Sequence, residues 1–83
     1  MDLQKLFDAA NEDFWANGYV GLDFNMAVMC VIAKRTGTPM VFQLGGGTYE
    51  FKLNYWASKR TFGHLTVKDE DELLTVAAKR YRI

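Results

Sequence analysis

The chain has 83 residues, ten Lys+Arg balanced by ten Asp+Glu, and one each of His, Cys and Pro, with 49% hydrophobic and 24% charged residues. This describes a single folded domain, residues 1–83, rather than a disordered chain. One Cys excludes an internal disulfide and favours a reducing, cytoplasmic setting. No apolar run nears the ~18 residues of a membrane span, the acidic amphipathic start is unlike a signal peptide, and zero net charge argues against a uniformly basic nucleic-acid clamp.

The first predicted element is a helix. Asp2 suits its cap, Leu3, Leu6, Phe7, Ala10 and Phe14 fall on one stripe, and Asn17-Gly18 closes it. Residues 24–35 follow, with Met26 to Ala33 continuously apolar. As a strand they place Phe24, Met26, Val28, Cys30 and Ile32 on the core side and Asn25, Ala27, Met29, Val31 and Ala33 on the other. As a helix they use Asp23 as cap, Lys34 and Arg35 in the last turn, and Gly37 and Pro39 as the stop. Such runs have no diagnostic period. The β-forming Val, Cys and Ile, and the difficulty of burying an all-round apolar helix in so small a domain, favour the strand, with the helix as the alternative.

Met40, Phe42 and Leu44 then alternate with polar or smaller residues. After Gly45-Gly46-Gly47 the alternation resumes through Tyr49, Phe51, Leu53 and Tyr55, the pattern of an antiparallel hairpin. Residues 57–61 read as a second turn, and Leu65 and Val67 alternate with His64, Thr66 and Lys68. Asp69 caps a final helix whose apolar face is Leu73, Leu74, Ala77, Ala78 and Tyr81, with acids crowding its first turn and bases its last. The expected fold is α+β in the order α-β-β-β-β-α, an antiparallel three- or four-stranded sheet with both terminal helices on one face.

The residues that carry chemistry are sparse. A zinc site needs three or four ligands, whereas Cys30 and His64 are the only thiol and imidazole, and the strand reading points them to opposite faces of the sheet. The triple glycine leads into an alternating strand and not a helix, so it reads as a turn rather than a phosphate cradle. Asp69-Glu70-Asp71-Glu72 lacks the spacing of a calcium loop and matches a helix dipole. No catalytic pair, cofactor or metal is expected, and the chain reads as a non-enzyme.

Charge is distributed unevenly. Residues 1–33 hold five acids and one base, residues 34–68 six bases and one acid, and residues 69–83 four acids and three bases. An antiparallel meander gathers Lys34, Arg35, Lys59, Arg60, Lys79 and Arg80 into a basic pole, opposite an acidic pole containing Glu12, Asp13, Asp23 and the Asp69 cluster. Turn polarity and helix-dipole matching account for these signs equally well. A second candidate surface is the outer sheet face, with Lys52, Asn54, Trp56 and His64 and, in the strand reading, Met29, Val31 and Val41.

The expected function is a small non-enzymatic interaction module, an inhibitor or adaptor of the kind common among phage-encoded accessory proteins. It binds an acidic protein surface through Lys34, Arg35, Lys59, Arg60, Lys79 and Arg80, or through Lys52 and Trp56. A homodimer through the outer face or the edge strand is a further expectation. Nucleic-acid binding is the alternative: the helix–strands–helix order is similar to the double-stranded-RNA-binding domain, and three strands before a helix resemble the arm-type DNA-binding domains of integrases. The former grips phosphates with bases at the start of its last helix, where this chain has Asp69 to Glu72, which disfavours that docking mode.

Overall fold

The computed structural model describes residues 1–16, 22–38, 41–44, 47–50 and 60–83. The elements are α1 (Leu3–Ala16), α2 (Leu22–Thr36), β1 (Val41–Leu44), β2 (Gly47–Glu50), β3 (Arg60–Phe62), β4 (Leu65–Val67) and α3 (Glu70–Tyr81).

The expected three- or four-stranded sheet is replaced by three helices and two separate antiparallel ribbons, β1-β2 and β3-β4. Among the described residues no pairing joins β2 to β3, so the sheet with helices laid on one face does not form. The correction begins at residues 24–35, which are helical. An apolar helix is costly only where it lacks neighbours. Here α2 packs with α1 on one side and α3 on another, and Ala27 to Ala33 are each at most 4% exposed. Met29 and Val31 are therefore core residues and not part of an outer face. There is no long edge strand at this position either.

α1 forms as its pattern dictates. Asp2 Oδ1 accepts the Lys5 amide at 3.1 Å, and the stripe buries Leu6, Ala10 and Phe14 while Leu3 and Phe7 pack against the core as partly buried residues. α2 ends in Gly37 at φ +70, a left-handed residue after which the Thr38 amide donates to Ala33 O at 2.9 Å. The glycine-linked hairpin forms as β1-β2, in register from Val41↔Glu50 to Leu44↔Gly47. Of the expected turn at 57–61, residues 57–59 lie outside the described residues. Residues 60–62 are strand, and Gly63-His64 makes a two-residue turn between Phe62 and Leu65. Gly63 sits at φ +63 and His64 keeps a negative φ, the sign pattern of a type II′ hairpin.

α3 carries both of its expected signals. Asp69 Oδ1 caps it by accepting the Glu72 amide at 2.8 Å, and Leu73, Leu74 and Ala77 are buried. Its last carbonyls are closed by Arg82 in the left-handed region (φ 58), with the Ile83 amide donating to Ala78 O at 2.9 Å.

Candidate interaction surface

The direction of the helices sets which charges meet. Lys34 Nζ lies 3.1 Å from Glu70 Oε2, and Arg35 Nη2 lies 2.7 Å from Asp71 Oδ1. The end of α2 is thus seated on the start of α3, and the two run antiparallel. The last-turn bases of one helix meet the first-turn acids of the other, and both dipole ends gain. This overturns the two-pole arrangement for these residues. Lys34 and Arg35 sit with the Asp69 cluster rather than opposite it, and about 14 Å along the α3 axis from Lys79 and Arg80.

The other end of the trio is held by polar groups. Asn25 is fully buried near the start of α2. Its Nδ2 donates to Asp13 Oδ2 near the end of α1 at 2.9 Å, and the Tyr81 hydroxyl at the end of α3 donates to the same oxygen at 2.7 Å. The hydroxyl also lies against Asn25 Oδ1. Each helix contributes one side chain, so the junction fixes where α1 and α3 end relative to one another. Burial first, then the hydrogen bond and charge of Asp13, hold the Tyr81 phenol well above its ordinary value.

Around this junction lies the exposed basic group. The Arg80 guanidinium stands 3.9 Å above the centroid of the Phe24 ring, against which Phe62 packs edge-on at 5.8 Å. Phe62 opens the Gly63-His64 turn, so the exposed His64 is carried toward this end of α3. Lys79 and Arg82 are exposed beside Arg80, and among the described residues no carboxylate is in ion-pair reach of these three bases.

Of the residues singled out in the sequence, Lys79 and Arg80 are thus brought together, and Lys34 and Arg35 are paired elsewhere. Arg60 opens β3. Lys52, Asn54, Trp56 and Lys59 lie outside the described residues. Cys30 is buried as expected, although in a helix, while His64 is exposed on a turn tip and not on a sheet face. Among the described residues no group of three His, Cys, Asp or Glu side chains could hold a metal ion, and no helix is long and apolar enough to cross a membrane. Sequence reasoning missed the Asp13–Asn25–Tyr81 junction. Its one signal is an Asn at the head of an apolar run.

Comparison with known proteins finds no matching family model, no matching curated protein and no matching solved structure.

Proposed function

We propose that the protein is a small non-enzymatic interaction module, an inhibitor or adaptor, that docks on an acidic protein surface through the end of α3. The observation that carries this reading is the contrast between two basic groups among the described residues. Lys34 and Arg35 are neutralised by Glu70 and Asp71, whereas Lys79, Arg80 and Arg82 are exposed with no acidic partner among the described residues. The Arg80 guanidinium stands 3.9 Å over the Phe24 ring, which limits the side-chain freedom lost on binding. An exposed guanidinium is the group that binds carboxylates in two-pronged fashion. A buried lone Cys30 fits a reducing, cytoplasmic setting.

The test compares wild type with Lys79→Glu/Arg82→Glu in quantitative crosslinking and capture from lysate. A specific protein partner whose recovery falls about ten-fold in the variant supports the reading. Equal recovery overturns it. Binding of nucleic acid at low salt, lost steeply as salt rises, replaces it with phosphate recognition.

A further inference from the structure

α2 and α3 end in the same way on different residues. After α2 the Thr38 amide donates to Ala33 O at 2.9 Å across Gly37, which sits at φ +70. After α3 the Ile83 amide donates to Ala78 O at 2.9 Å across Arg82, which sits at φ 58 and ψ 48. A Cβ built at Gly37 would meet nothing within 4 Å, so the glycine there answers to the backbone angle and not to crowding. At the matching position of α3 the same angle is imposed on a residue with a Cβ, which is less stable there than glycine. Among the described residues Arg82 is the one non-glycine residue at positive φ.

No contact within the described residues compensates for this. The Arg82 side chain is exposed and forms no ion pair or hydrogen bond with another described residue. Arg80 differs, because the Phe24 ring gives it a partner inside the molecule. A positive charge suits the negative end of a helix dipole, but Lys79 and Arg80 already supply it in the last turn. An exposed arginine standing where glycine is the more stable choice is placed for a contact outside the molecule. Its planar fork of N–H donors matches a planar, two-oxygen acceptor, and on an acidic protein surface that acceptor is a carboxylate.

We propose that Arg82 is the residue with which the protein recognises its partner, its guanidinium holding one Asp or Glu carboxylate of that partner through two parallel hydrogen bonds. This rests on the reading that the end of α3 docks on an acidic protein surface, and names the contact that selects it. Thermal unfolding reads the helix end, and immobilised poly-glutamate at low ionic strength reads the contact. Arg82→Gly should raise the melting temperature by about 3–6 °C. The same variant should bind poly-glutamate about ten-fold more weakly. Arg82→Lys keeps the charge and the strained residue but loses the fork, so its melting temperature stays within about a degree of wild type and its binding falls about four-fold. Lys68→Ala removes an exposed charge at the opposite end of α3 and should weaken binding by less than about two-fold. An Arg82→Gly chain that melts no higher than wild type, or binds as tightly, overturns the proposal and leaves the docking reading standing. An equal loss in Lys68→Ala also overturns it, by showing attraction to net charge alone. Preference for a DNA oligonucleotide of equal charge overturns the carboxylate and moves the contact to phosphate. A wild type that ignores poly-glutamate at low salt overturns the docking reading as well.

Discussion

Asn25 is the most consequential single side chain at the junction. Its amide is fully buried and its Nδ2 is committed to Asp13, so Asn25→Ala removes that donor from a part-buried junction and leaves a void at the head of α2. The expected loss is about 2–3 kcal/mol in urea unfolding; a loss below about 0.5 kcal/mol would show the junction to be decorative. Tyr81 adds a pH signature. Burial, and then Asp13, raise its folded-state value above the ordinary 10.0, so the folded chain holds the phenol proton after the unfolded chain has released it. The contribution is complete below about pH 10 and falls as pH rises beyond it, because the unfolded state then binds fewer protons. Tyr81→Phe should flatten the stability–pH curve in that alkaline window, and an unchanged slope would remove Tyr81 as its cause. At neutral pH the same variant costs about 1 kcal/mol for the lost hydroxyl bond.

At the scale of elements, α1 and α3 were readable because each carries its own punctuation. Asp2 and Asp69 cap them, and their apolar residues recur at helical spacing against a polar remainder. α2 has no such contrast. Met26 to Ala33 offer no polar face to set a period, and whether they form a helix or a strand depends on what surrounds them, which local spacing does not record. Two helices flank α2, and the strand reading fails for that reason. The pairing of α2 with α3 was hidden for another reason. A strand or a helix at residues 24–35 delivers Lys34 and Arg35 to the same turn. Only the long-range packing of α2 against α3, which local spacing does not record, sets them on Glu70 and Asp71. That pairing is exposed at Lys34, Arg35 and Asp71, so it contributes little and is screened by salt. Arg35→Ala should cost less than about 1 kcal/mol at low ionic strength, and the difference from wild type should vanish in molar salt. A salt-insensitive loss would mean that the Arg35 stem, rather than its charge, holds the helices together.

For the whole molecule, the core depends on α2 being enclosed. Leu73 of α3 is fully buried in the same cluster as Val28 and Met29. Leu73→Ala should cost about 2–5 kcal/mol, a large share of the ~5–15 kcal/mol typical of a domain, and the melting temperature should fall accordingly; a shift of only a degree or two would place α3 outside the cooperative unit. α1 and α2 are neighbours along the chain and each ribbon is a local hairpin, whereas α3 reaches back to Lys34, Asn25 and Asp13. Its docking is the step that closes the chain over long range, and its release is the natural first opening. What that opening uncovers is an eight-residue segment, Met-Ala-Val-Met-Cys-Val-Ile-Ala, with no charge and no proline. Such a segment, equally readable as a strand, is the raw material of intermolecular β-pairing. The Asp69 cap and the polar tie at Tyr81 therefore guard against aggregation, keeping a segment with two conformational readings in the one that does not polymerise.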